Sequence, residues 1–95
     1  MNPNKLPELL SRTCLDYAIG IGLKLGNYEQ IELEAEDITK ALAEERLAKK
    51  AQSMGCETVV NYRWSQEILS IKSEGPKTIR IEKKYYASGT GLKER

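Results

Sequence analysis

The sequence predicts an α+β fold: an antiparallel or mixed sheet of four to five strands packed against one long amphipathic helix. A short helix at the amino terminus is an additional option. Three observations predict this class: one segment has the apolar period of a helix, several segments alternate as strands do, and 95 residues suffice for one hydrophobic core but not for two. We therefore expect residues 1–95 to form a single domain.

The first third of the chain predicts a helix followed by a hairpin. Residues 6–15 could open the fold as a helix, because Pro7 suits a first helical turn and Glu8 would lie near the positive end of the helix dipole. Residues 17–25 and 28–35 each place an apolar residue at every second position, with Gly26-Asn27 between them as a tight turn. A hairpin is the simplest interpretation, and a helix through residues 29–36 stays open as the alternative.

The clearest element is a helix over residues 38–54. Asp37 is placed to accept an unpaired backbone N–H at its start, and Gly55 is placed to end it in a left-handed conformation. One stripe of this helix is apolar and rich in alanine, which lets it lie close to a sheet. The stripe consists of Ala43, Leu47, Ala51 and Met54, and the opposite face carries Arg46, Lys49, Lys50 and Ser53.

The last third of the chain predicts strands that end in a long hairpin. Residues 57–65 are rich in β-branched and aromatic side chains, which is typical of a buried strand, and residues 67–72 predict another strand. Residues 73–77 have the composition of a turn. Residues 78–87 then alternate, with Ile79, Ile81, Tyr85 and Ala87 on one side and Arg80, Glu82, Lys84 and Tyr86 on the other. Lys83 falls on the apolar side, which indicates an edge position, a bulge or a side chain that extends to water.

Composition and charge exclude several classes of function. The 15 basic and 14 acidic residues leave a net charge of +1, so no global field attracts phosphate backbones or a membrane surface. Histidine is absent, which removes the commonest general base and the commonest transition-metal ligand. The amino terminus lacks the apolar core of a signal peptide, so a cytoplasmic protein with reduced cysteines is expected.

A family resemblance is carried by residues 43–65, which contain Met54-Gly55-Cys56 and the strand-like run Thr58-Val59-Val60-Asn61-Tyr62-Arg63. This segment, together with the close Tyr86-Ala87-Ser88-Gly89-Thr90-Gly91-Leu92, resembles the YbjQ-like family, whose members carry a heavy-metal-binding label. The resemblance covers roughly the second half of the chain. It implies an α+β sandwich that assembles into a ring, commonly a pentamer, and it implies little biochemistry.

Cys56 and Cys14 are the candidate metal ligands, because a thiolate is a soft ligand for thiophilic metal ions. Cys56 follows the end of a helix and precedes a buried strand, where cysteine serves more often as a small apolar residue. Core packing is therefore the favoured interpretation of Cys56. The chain contains no Cys-x-x-Cys spacing, so one copy offers no strong metal site.

Four residues, Arg63, Trp64, Tyr85 and Tyr86, are the candidates for a ligand site or an interface. A basic and aromatic strand surface could bind single-stranded nucleic acid, and this is the alternative function. Neighbours along a strand point to opposite faces, however, so these residues are expected to divide between two faces, and core or interface packing is favoured.

The first functional hypothesis is a non-enzymatic homo-oligomeric protein, extended by a small ligand or a soft metal ion held between subunits. The sequence does not identify a cofactor, and an enzyme without histidine would need other groups for every proton transfer. The expected partner is another copy of the chain, in a ring of about five if the resemblance holds. The reason is that open strand edges and too many apolar side chains remain for one alanine-rich helix to cover: Tyr62, Trp64, Ile68, Ile71, Tyr85 and Tyr86.

Overall fold

The computed structural model describes residues 6–21 and 25–94 and has an α+β architecture. The elements in chain order are β1 (Glu8–Leu9), α1 (Cys14–Ile21), a 3₁₀ turn (Leu25–Asn27), β2 (Tyr28–Asp37), α2 (Lys40–Ser53), β3 (Thr58–Gly75) and β4 (Thr78–Glu94). The four strands of this described part form one mixed sheet in the order β1-β3-β4-β2. β1 runs parallel to β3, and the other pairs are antiparallel.

The long helix lies close to its predicted position, but its amino-terminal cap is different. α2 begins at Lys40, and the Oγ1 of Thr39 accepts the N–H of Leu42 at 3.2 Å. Asp37, the predicted cap, instead accepts the N–H of Ile38 and forms an ion pair with Arg46. These two contacts lower the pKa of Asp37, the bond from the Ile38 N–H most of all. The last turn ends as expected before Gly55, which has a φ of +79°.

The apolar stripe of α2 packs over β2 and β4. Ala43, Leu47 and Ala51 are buried as the periodicity predicts, and they form one cluster with Leu33, Cys56, Val59 and Ala87. The prediction for Met54 is wrong: this residue caps the helix with a non-helical ψ of 3° and is 40% exposed. The helix stripe therefore ends one turn earlier than the sequence indicates.

The first third of the chain differs from its prediction. Within residues 6–15 the structure has the short strand β1, and α1 begins only at Cys14. Residues 17–21, predicted as a strand, lie in α1, whose first turn is capped by the Oγ1 of Thr13 at 3.1 Å from the N–H of Asp16. The rest of the predicted strand reaches residues 22–24, which lie outside the described part of the chain. The predicted hairpin is wrong because β2 pairs with β4 over its whole length instead.

The segment before α1 is held by backbone hydrogen bonds to β3. The N–H of Leu10 donates to Val59, and the carbonyl of Leu10 accepts the N–H of Tyr62. The carbonyl of Arg12 accepts the N–H of Asn61 at 2.7 Å. These bonds satisfy the backbone groups of an extended segment at this edge of the sheet, so a helix over residues 6–13 would lose them.

β3 and β4 form one long hairpin that extends beyond α2. The strands predicted at residues 57–65 and 67–72 are one continuous strand, so no fifth strand occurs among the described residues. The described molecule measures 59 by 26 by 17 Å, which reflects the length of this hairpin. We call residues 64–85 the arm, with its base at Trp64 and Tyr85 and its tip at the turn between the strands. The strand predicted for residues 28–35 is confirmed, because these residues lie in β2. The alternative of a helix through residues 29–36 is therefore wrong.

Candidate functional site

The arm has one apolar face that continues the core. Residues paired across an antiparallel hairpin share a face, and the register pairs Trp64 with Ala87, Ile68 with Lys83 and Ile71 with Ile81. Ala87 belongs to the core cluster beneath α2, so this series lies on the helix side of the sheet. The apolar arm face is defined by Trp64, Ile68, Ile71, Ile79 and Ile81.

Two irregularities in β3 bring these residues to one face. Strict alternation from Val59 would place Trp64 and Ile68 on the opposite side of the sheet. Between Val60 and Arg63 the strand contains an irregular step, in which Asn61 has a φ of +55°. A second step between Ile68 and Ser70 adds Leu69 and returns Ile71 to the side of Ile68. Each extra residue reverses the facing of all residues that follow it.

The apolar arm face is exposed along its whole length. Its five side chains have exposed fractions of 47% to 67%. At about 100 Å² each they form a patch of about 500 Å², close to the upper end of what monomeric proteins expose. Two more large apolar residues are exposed near the start of α2: Ile38, just before the helix, is 73% exposed, and Leu42, in its first turn, is 41% exposed. Ile38 and Lys83 line the same depression beside Leu69.

The base of the arm is attached firmly to α2. The ring centroids of Trp64 and Tyr85 are 6.3 Å apart, and the Nζ of Lys40 lies 4.4 Å from the centroid of Trp64. The hydroxyl of Tyr62 donates to the Oε1 of Glu44 at 2.8 Å. Burial and this hydrogen bond raise the pKa of Tyr62, so its phenol remains a neutral donor. The apolar arm face is therefore presented at a defined position relative to α2.

The opposite face of the arm is polar, and many of its charges are paired within the chain. The hydroxyl of Tyr86 donates to Glu67 at 2.6 Å, and Lys84 forms an ion pair with Glu36 at 2.9 Å. The bond to Glu67 raises the pKa of Tyr86, and the bond to Glu36 raises the pKa of Lys84. Further pairs toward the tip join Lys72, Glu74, Arg80 and Glu82. This face is suited to contact with water.

The four candidate site residues divide between the two faces. The register places Trp64 and Tyr85 together on the helix side and Arg63 and Tyr86 on the polar side. Arg63 and Tyr86 line one depression there, and Trp64 contributes to its lining. Arg63 also shares a second depression, of about 320 Å³, with Glu32 and the backbone around Ser88. The four residues therefore do not form one basic and aromatic platform.

Cys56 lies in the core. It is 1% exposed and belongs to the cluster beneath α2, and burial raises the pKa of its thiol, with Lys93 opposing the rise only in part. Both properties favour the neutral thiol over the thiolate that binds a soft metal. Cys14 is the first residue of α1. In the described part of the chain no three side chains of the types His, Cys, Asp or Glu are grouped as metal ligands would be.

Cys56 is expected to react with a thiol reagent at least about a hundred-fold more slowly in native protein than in denatured protein, because it is buried and its pKa is raised. The rate is measured near neutral pH in a Cys14→Ser variant, which leaves Cys56 as the only thiol. A Cys56→Ser variant gives the corresponding rates for Cys14. Equal rates for Cys56 in native and denatured protein would show that the thiol is accessible and would restore it as a candidate ligand.

The sequence identified only part of this surface. Ile38, Leu42, Ile79 and Ile81 were not among its candidate residues, although the alternation in β4 contains the signal for two of them. The alternation in β4 includes residues that α2 does not cover, so the apolar side chains at those positions are exposed on the arm. For Ile38 and Leu42 the exposure depends on where α2 lies against the sheet.

Comparison with known proteins gives no relative of this chain. No protein-family model matches it, and no curated protein and no solved structure shows significant similarity to it. The YbjQ-like resemblance and the ring of five that it implies stay predictions. Among the residues that the structure describes, no helix is long and apolar enough to cross a membrane.

Proposed function

We propose that the chain is a non-enzymatic homo-oligomeric protein whose subunits associate through the apolar arm face. One observation carries this proposal: a two-stranded arm presents five large apolar side chains that the rest of the described chain leaves about half exposed or more. A two-stranded hairpin is at best marginally stable in water unless its apolar face packs against something. Contact with a second copy supplies that packing.

The area of the patch is sufficient for a specific contact. About 500 Å² on each of two copies amounts to about 1,000 Å² in total, the lower limit for a biological interface. The exposed surface of Ile38 and Leu42 increases this area further. The contact would be apolar at its centre, and paired charges of the polar arm face would lie away from it, as in a stable interface.

A second copy fits this surface better than a charged partner does. Lys83 is the one charged residue in the register of the apolar arm face, and Lys40, which lies over Trp64 at its base, is paired with Glu44. Two lysines, one of them paired, give this face little field with which to select a nucleic acid or an acidic protein. The net charge of +1 produces little repulsion between copies. The alternative of a nucleic-acid-binding module draws little support from the geometry, because the strand register directs Arg63 and Trp64 to opposite faces of the sheet, although both residues line one depression.

Two copies are favoured over the ring of five that the resemblance implies. When a patch contacts the same patch of another copy, formation of the pair covers both patches and leaves none for a third copy. A ring instead needs two different contact surfaces on each subunit. A small ligand or soft metal ion between subunits and a cytoplasmic location belong to the same proposal. Native mass spectrometry tests the ligand, because a retained molecule adds to the mass of the assembly.

Light scattering across a concentration series tests the self-association. Wild-type protein is expected at about twice 10.7 kDa, and an Ile71→Lys variant at about 10.7 kDa. The dissociation constant should rise at least about a hundred-fold, because a two-fold contact would bury two unpaired ammonium groups. Ser65→Lys is the matched control: it adds the same charge on the polar face of the same strand and should leave the mass unchanged. A wild-type mass near 10.7 kDa at every concentration would overturn the proposal.

A further inference from the structure

We infer that two copies stack their apolar arm faces in opposite directions, about a two-fold axis near the Ile71–Ile81 pair. The tip of each arm then covers the base of the other arm and the exposed amino-terminal end of its α2. This inference rests on the proposed self-association and specifies its geometry. The occupant of the apolar arm face is thus the same face of a second copy of this chain.

A partner arm must share a layer with α2. α2 lies over β2 and β4 on the same side of the sheet as the apolar arm face. Sheets stack about 10 Å apart, and a helix is about 10 Å thick with its side chains. An arm stacked on the apolar arm face therefore lies at the height of α2 and cannot pass over it. Lys40 is the first residue of α2, and its contact with Trp64 marks the border between the helix and the open face of the arm.

The position of α2 also determines the direction of the partner arm. If the two arms ran the same way, both α2 helices would lie between the sheets at the same end. The sheets would then be about 20 Å apart at that end and about 10 Å apart along the arms, which rigid sheets cannot satisfy. With the arms in opposite directions, each helix lies beyond the tip of the other arm, and the spacing is uniform. Steric exclusion by α2 therefore selects the antiparallel arrangement.

The length of the open face gives the register. From Tyr85 at the base to Thr78 at the tip, β4 advances seven residues, a distance of about 23 Å. The midpoint of this open face lies close to Ile81 and its pair Ile71. A two-fold axis there lies between the sheets and across the strands, so each strand stacks on its own copy. Each Ile71 then lies opposite its counterpart, and each Ile79 lies opposite Lys83 of the second copy. The tips then reach the region of Ile38, which accounts for an isoleucine that is 73% exposed.

The half-buried position of Lys83 is compatible with this arrangement. Lys83 pairs with Ile68 beside the irregular step at Leu69, at the margin of the depression next to α2. A lysine in this position can pack its methylene groups against the second copy and keep its ammonium group in water at the rim. The only charged residue in the apolar register thus needs no buried partner.

Cross-linking with a bismaleimide reagent that spans about 10 Å, the distance between stacked sheets, tests the geometry in a Cys14→Ser background. Ile71→Cys is expected to form a covalent dimer, because its counterpart lies across the axis. An equimolar mixture of Ile79→Cys and Lys83→Cys should give about tenfold more of the mixed cross-link than of the Ile79→Cys homodimer, because the two copies of residue 79 lie roughly 13 Å apart along the strands as well as on opposite sheets. Ser65→Cys on the polar face is the control and should not cross-link. Buried Cys56 stays in all variants.

The outcomes separate this inference from the proposed function. Homodimers of Ile79→Cys in excess over the mixed cross-link would show that the arms run in the same direction and would overturn the inference. An oligomer by light scattering in which Ile71→Cys forms no covalent dimer would also overturn it, while self-association through another surface stands. A monomeric mass at every concentration would overturn both.

Discussion

Leu47→Ala is expected to lower the free energy of unfolding by about 2 to 5 kcal/mol. Leu47 is fully buried, and it is the one large side chain among the buried residues of α2, which are otherwise alanines. It packs in the cluster that contains Leu33 and Val59. Alanine neighbours cannot extend into the space that the substitution leaves, so the cavity persists and adds to the lost transfer free energy.

Lys49→Ala on the opposite face of α2 is the matched control. Lys49 is exposed and forms an ion pair with Glu45 at 2.9 Å, one helical turn away. An exposed pair of this kind contributes little, so its loss should cost less than about 0.5 kcal/mol. Urea denaturation at one fixed protein concentration measures both variants, because association of the native state adds to its apparent stability. Similar losses for the two variants would show that the helix packs by a different face.

Gly91→Ala is expected to destabilise the fold by about 1 to 3 kcal/mol through overpacking. A Cβ at this position would lie 2.6 Å from the Sγ of Cys56 and 2.9 Å from the Cδ1 of Leu33. Both atoms belong to buried side chains of the core cluster, so neither can move without displacing its own neighbours. The absence of a side chain at Gly91 is therefore what makes room for Cys56 beneath α2.

A double-substitution cycle identifies the source of this loss. Adding Cys56→Ala to Gly91→Ala removes the closest clashing atom, and the pair should be more stable than the sum of the single losses predicts, by at least about 1 kcal/mol. Gly75→Ala is the control, because a Cβ there meets no atom within 4 Å. Additive losses would show that Cys56 is not the residue that excludes a side chain at Gly91.

The sequence alone predicted the elements whose pattern is local and continuous. The stripe of Ala43, Leu47 and Ala51 identified the buried side of α2, because the period of 3.6 residues follows from helix geometry alone. The alternation of Ile79, Ile81, Tyr85 and Ala87 likewise identified one side of β4, a strand whose alternation is continuous through these residues. The Gly75-Pro76 pair likewise indicated the turn, which is shorter than the predicted 73–77: residues 73–75 belong to β3, and the turn is at residues 76–77.

Other features could not be predicted, because they depend on contacts between distant segments. Residues 17–21 alternate as a strand does, yet they lie in α1, and β2 pairs with β4 instead of with its neighbour in sequence. The backbone groups of β2 could form equally good hydrogen bonds with residues 17–25 or with β4. Which strand β2 pairs with therefore depends on which arrangement buries Leu33 and Ala35 beneath α2.

The apolar arm face shows the same division within a single surface. The amino-acid sequence determined that β3 contains Trp64, Ile68 and Ile71, and that β4 alternates without interruption opposite them. Only the tertiary structure decided that they share one face, because the irregular steps at Asn61 and Leu69 each reverse the facing of the strand. The pairing with β4 and the bonds from the segment before α1 determine where those steps occur, and neither is recorded in the local sequence of β3.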